Sequence, residues 1–306
     1  MRRATIKITA KKPATGARDV PARSAFDTGR ALRKYLSRLR LPGCCGPGRP
    51  ALRFWLSDFR FLLLASLCLP AVFAARPVCG QPSVEALKTF QLAQAEFQAH
   101  PDNPTNAWQF ARACFELGDF STNNSERAQI ANQGIAAARR ALAEASNAAP
   151  PHYQLGLNLG QLARTKSLGA LRLVGQMERE FTTAAALDPH FDYAGPDRSL
   201  GLLYRDAPAI GSIGSRSKAK QHLQRALELA PEFPENRLNL IESYMKWNER
   251  NTARQELVTL EAEWETARAA FTGPPWAASW QDWEARRQSA KKILGEPPKA
   301  LESPRH

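Results

Sequence analysis

The stretch "SLGLLYRDAPAIGSIGSRSKAKQHLQRALELAP", Ser199 to Pro231, decides the fold. Its front carries Leu200-Gly201-x-x-Tyr204 and its back carries Ala219-x-x-x-Leu223, Ala226 and Pro231. Apolar residues at three- and four-residue spacing on both sides of a glycine-containing loop describe two helices joined by a turn. Gly201 and Ala219 are small where such helices cross closely, Tyr204 and Leu223 fill the space between hairpins, and Pro231, lacking an N–H, stops the second helix. The middle, "APAIGSIGSRSK" from Ala207 to Lys218, has the composition of a phosphate loop. A Walker-type loop needs a glycine four residues before Gly-Lys-Ser/Thr, after a buried strand and before a helix. Here Gly214 is followed by Ser-Arg-Ser-Lys and no strand precedes it, so the stretch reads as a hinge between helices. Pro208 and Gly211 stop the first helix, and Ser215 or Ser217 caps the second. An anion held weakly at that helix start is the residual ligand reading.

The same register recurs on both sides. Downstream, Leu240-Ile241-x-x-Tyr244 leads to Ala253-x-x-x-Leu257 and Leu260; upstream, Leu155-Gly156-x-x-Leu159 leads to Met177-x-x-x-Phe181, Ala184 and Pro189. Furthest upstream, Trp108 and Phe115 lead to Ala138-x-x-x-Leu142, Ala145 and Pro150. On these residues the chain resembles the tetratricopeptide-repeat (TPR) family, whose repeat is a helix A–turn–helix B hairpin of 34 residues. The resemblance implies an all-α solenoid of helical hairpins with about four repeats over 104–266. The spans from the A-helix leucines to the closing prolines exceed the ordinary repeat, and the surplus is placed between helix A and helix B. In the first repeat it falls on "GDFSTNNSERAQ".

A capping helix is expected at each end, because terminal repeats leave a face uncovered. Residues 84–99, "VEALKTFQLAQAEFQA", form an amphipathic helix at the front; Trp276, Trp280 and Trp283 share one face of a helix running to about Leu294. The helical domain is thus 84–294, and the Pro-rich residues 295–306 read as a disordered tail.

Charge is distributed unevenly. Residues 1–60 hold 15 Lys/Arg against 3 Asp/Glu, whereas the rest of the chain holds 27 against 26. The net charge of +13 therefore belongs to the N-terminus, and a groove tracking phosphates on the folded domain is disfavoured; no nucleic-acid partner is expected. Residues 1–53 read as a basic, disordered extension, and 54–75, containing the apolar run "FLLLASLCLPAVFAA", as a signal peptide or a membrane anchor. The tail before it is long for a signal peptide, which leaves a downstream start or an uncleaved anchor as the two readings. Either places the helical domain outside the cytoplasm, exported to the periplasm or cell envelope. Cys79 and Cys114 follow the apolar run; Cys79 stands where a lipidated cysteine could stand, though Arg-Pro-Val before it is a poor lipobox.

No catalytic constellation is legible. His100, His152, His190, His222 and His306 have no metal-ligand spacing, and there is no G-x-S-x-G or C-x-x-C. The reading is a non-enzymatic chain without cofactor or metal. In TPR proteins partners lie along the concave face lined by helix A. Carried over by position, this implies Gln109 and Ala113 in the first repeat, Tyr153 and Leu157 in the second, Arg198, Leu202 and Arg205 in the third, and Leu238, Glu242 and Met245 in the fourth. Arg198 and Arg205 either hold a partner's carboxylate or pair with Asp192, Asp197 or Asp206. Over roughly 150–250 the order of a Leu-Gly helix, a Pro- and Gly-containing loop and a "KA…L…AL.L.P" helix also looks like the T component of TRAP-type periplasmic transport systems. That likeness implies an alternative role: a ligand-binding accessory with an apolar cavity, partnering a solute-binding protein.

Overall fold

The computed structural model describes residues 84–166 and 169–295. The basic extension, the apolar run, Cys79 and the Pro-rich tail beyond Gly295 lie outside the described residues.

Among the described residues the chain is a run of antiparallel helices. They are α1 Val84–Ala99, α2 Pro104–Phe120, α3 Asn124–Glu144, α4 Ala149–Ala163, α5 Ala170–Leu187, α6 Phe191–Asp206, α7 Arg216–Leu229, α8 Pro234–Lys246, α9 Arg250–Ala270 and, after a 3₁₀ turn at Pro274–Trp276, α10 Ala277–Leu294. Helices α2/α3, α4/α5, α6/α7 and α8/α9 are the A/B hairpins of four repeats; α1 and α10 cap the two ends. Successive A helices pack on one another, whereas B helices pack mainly on A helices. The A row is therefore the shorter, inner side of the solenoid.

The starts follow capping chemistry. Asn103 Oδ1 accepts from the N–H of Thr105 at 2.9 Å and Pro104 occupies the first turn, where its missing N–H costs nothing. Asn123 caps α3 by accepting from Glu126 N at 2.7 Å. Ser215 Oγ accepts from Lys218 N at 3.4 Å, so the serine hinge does cap α7.

Small residues mark the crossings. A Cβ on Gly156 would stand 2.5 Å from Phe181 Cε1, and one on Gly201 would stand 2.6 Å from Leu223 Cγ. Ala219, Leu223, Ala226, Ala253 and Leu257 are wholly buried, as the repeat register requires. At the C-terminal end Phe233, Phe271, Trp276 and Trp283 form a buried aromatic group, with Trp283 edge-on to Phe233 at 5.2 Å. Trp276 is the N-cap of α10 rather than part of it, and its ring still covers the last repeat.

Two sequence expectations are corrected in the first repeat. Helix B stops at Ala145, whose N–H donates to Ala141 O at 2.9 Å, as Ala230 N donates to Ala226 O in the third repeat at 3.1 Å. The crossing positions are thus Gly134, Ala138 and Ala141, one turn earlier than Ala138, Leu142 and Ala145, and Pro150 belongs to the first turn of α4. The surplus around "GDFSTNNSERAQ" is not a loop either. It lengthens α2 and α3, leaving Ser121–Asn123 as the link. Arg127 ties that link down by donating to Gly118 O at 3.3 Å and to Ser121 O.

Candidate functional site

Each residue expected on the inner row of A helices has a definite place. Gln109 is exposed on α2. Tyr153, Leu157, Arg198, Leu202 and Leu238 are buried, as is Ala113. Arg205, Glu242 and Met245 are half-buried.

Both arginines are taken by the chain's own carboxylates. Arg205 grips Asp206 with Nε at 2.9 Å and Nη2 at 2.6 Å, and its Nη1 reaches Ser243 Oγ on α8 at 3.3 Å. Lys246 also donates to Asp206. Burial works against the Asp206 carboxylate, but the Arg205 guanidinium and the Lys246 ammonium outweigh it and hold Asp206 below the usual carboxylate range.

Arg198 lies deeper, at the head of α6. Its Nη2 donates to Asp192 Oδ2 and to Asp192 O, each at 3.1 Å, and its Nη1 donates to Tyr193 O at 2.9 Å and to Asn236 Oδ1 at 3.2 Å. The guanidinium sits 5.1 Å over the Phe233 ring. These bonds hold an unusual backbone: Asp192, Tyr193 and Ala194 have φ/ψ of 52/46, 55/51 and 61/34, a left-handed turn before the right-handed part of α6. For L-residues that conformation costs about 1–2 kcal/mol each. Gly195 follows because a Cβ there would meet Tyr153 Oη at 2.7 Å.

The turn sends its side chains in different directions. Phe191 packs toward the first two repeats, edge-on to Tyr153 at 5.6 Å and to Trp108 at 6.4 Å. Tyr193 packs toward the last repeat and the cap, stacked on Phe233 at 4.6 Å and edge-on to Phe271 at 5.4 Å. Asp192, between them, accepts from Tyr153 Oη at 3.0 Å.

Further polar links run from one A helix to the next. Asn158 donates to Ala111 O at 2.8 Å, Gln161 to Phe115 O at 3.3 Å and Arg164 to Asp119 at 2.8 Å, joining α4 to α2. Arg286 of α10 donates to Glu242 at 2.6 Å and to Asn239 at 2.7 Å. On α2, Arg112 and Glu116 pair at 2.9 Å. Burial pushes the Glu116 carboxyl above its ordinary range despite that arginine. The i,i+4 spacing of this pair was legible; the other links depend on which helices adjoin.

Elsewhere, His222 Nδ1 lies 2.8 Å from the wholly buried Asp197, on the contact of α6 with α7. Burial raises the Cys114 thiol well above its ordinary value, which keeps it protonated and unreactive. Among the described residues no three His, Cys, Asp or Glu side chains are grouped to hold a metal, and no helix is long and apolar enough to cross a membrane.

Three comparisons bear on this geometry. Residues 79–192, little more than a third of the chain, match the family model "Regulator of microtubule dynamics protein 1-3". No curated protein sequence matches significantly. Among solved structures, the chain is similar to TTC0263, a thermophilic TPR protein of Thermus thermophilus, at 20% identity and a TM-score of 0.50, covering 66% of this chain and 88% of that one. MamA matches at 15% identity and a TM-score of 0.42, over 60% of this chain and 90% of that one. The fold is that of a tetratricopeptide-repeat protein.

Proposed function

We propose that this chain is a non-enzymatic scaffold that binds a protein or peptide along the inner face of its A helices, from a domain exported by way of the N-terminal apolar segment, whether as signal peptide or as anchor. The observation that carries the reading is the set of polar bonds linking α2 to α4, α6 to α8 and α8 to α10. They fix the face before any partner arrives, which lowers the ordering cost of binding. Gln109, Arg112, Asp192, Glu242 and Lys246 keep side-chain exposure on it. Export rests on the charge and hydropathy of residues 1–75. Recovery of the full chain with the cell envelope supports it, and recovery in the cytosol alone defeats it.

The match over the first two repeats to a family of regulators of microtubule dynamics favours a second reading, in which the partner is the microtubule. Co-sedimentation of the full chain with polymerised tubulin tests it. A pellet dependent on polymer selects this reading, and protein remaining in the supernatant removes it.

A further inference from the structure

We propose that the left-handed turn Asp192–Ala194 is a two-state hinge, latched by Arg198 and Tyr153, that sets the angle between the first two repeats and the last two. It stands whether or not a partner binds the inner face.

Three consecutive L-residues at φ between 52 and 61 are not a conformation the local sequence favours. Such backbone persists only where its surroundings over-determine it, and it collects at switch regions. Here the surroundings are few and discrete. The Tyr153 hydroxyl reaches Asp192 from the second repeat, Arg198 braces the carboxylate and two carbonyls from within α6, and Asn236 Nδ2 donates to Tyr193 O at 3.2 Å from the fourth repeat.

The turn also lies where the aromatic contacts change sides. Phe191 belongs to the group containing Trp108 and Tyr153, and Tyr193 to the group containing Phe233, Phe271 and Trp276. Reversal to right-handed φ would remove the local strain and rotate one of these rings out of its group. The two halves would then meet at a different angle, a hinge motion absorbed by a few residues at an element's end. Gly195 and Pro196 confine the change, because the right-handed helix restarts with them.

The test is a distance measurement on the full chain, with nitroxide labels at exposed residues 139 and 265 and every cysteine except Cys114 replaced by serine. The hinge predicts one distance population for the parent and a second population in Tyr153→Phe, which removes one latch bond, larger still in Asp192→Ala. Amide exchange at residues 191–195 should accelerate roughly tenfold in Tyr153→Phe, while protection inside α2–α5 and α7–α9 is retained. Ala194→Gly, which lowers the cost of positive φ, should keep the single population. An unchanged single distance in Tyr153→Phe, or exchange rising evenly across both halves, overturns the proposal. If Asp192→Ala does not fold, the Tyr153→Phe result decides alone.

Discussion

Arg198 donates to the carboxylate and to the backbone carbonyl of Asp192, six residues before it, from a guanidinium that is almost wholly buried. A charge at that depth is tolerable only because the turn converges on it. Glu235 adds a second carboxylate at 3.9 Å. Replacing Arg198 by Met takes the guanidinium away from Asp192, from Glu235 and from two carbonyls, and removing one member of a buried pair costs on the order of 3–5 kcal/mol. Urea unfolding of Arg198→Met should show that loss. Lys, lacking the planar fork, should recover only part of it.

Two glycines inside helices should respond in opposite directions. Gly201→Ala forces a methyl against Leu223, and overpacking of this kind costs roughly 1–3 kcal/mol. Gly175, within α5, has open space where a Cβ would go, so Gly175→Ala should gain about 0.5–1 kcal/mol from helix propensity. Thermal unfolding of the pair reads both signs.

The aromatic cap is expected to be a cooperative part of the fold. Trp283 is fully buried among Phe233, Phe271, Trp276 and Trp280. Truncating it to Ala should cost about 3–5 kcal/mol. Hydrogen exchange should show α9 and α10 losing protection before α2–α5 do.

Stability should depend on pH with two opposing contributions. Asp206 is held below the ordinary carboxylate range, so its contribution is complete above the unfolded value and is lost as pH falls through the folded one. The deficit of Asp206→Asn relative to the parent should therefore be largest at neutral pH and shrink in acid. Glu116 is raised by burial, so it weakens the fold as pH climbs from the ordinary carboxylate range through its raised value. Denaturant titrations between pH 3 and 7, a range bracketing the ordinary carboxylate value of about 4, should show Glu116→Gln flattening that decline.

Repeats two to four were readable because their crossing positions are chemically distinctive: Gly156 against Phe181, Gly201 against Leu223, Ala253 with Leu257. The first repeat slipped by one turn because "AAARRALAEASNAA" offers alanine at almost every position a crossing could use. The left-handed turn left only an indirect trace. Pro189 to Leu200 spans eleven positions, where the equivalent Pro231 to Leu240 spans nine. Asp, Tyr and Ala in succession do not announce a run of positive φ, since bonds from Arg198 and from distant Tyr153 and Asn236 make it stable. Position on helix A was likewise a poor guide to exposure. Tyr153, Leu157, Leu202 and Leu238 are buried in the packed solenoid, and Arg205 and Glu242 are engaged by Ser243 and Arg286 of neighbouring helices.

Site-specific photo-crosslinking tests the central claim most directly, with the photoreactive residue placed in the full chain at Gln109, Glu242 or Met245 on the A row, or at Asn132, Gln221 or Gln255 on the exposed side of the B helices. The scaffold account predicts that one protein is captured from the A-row positions in more than one repeat and is not captured from the B-helix positions. Capture from the B helices alone, or equally from both sides, would contradict it.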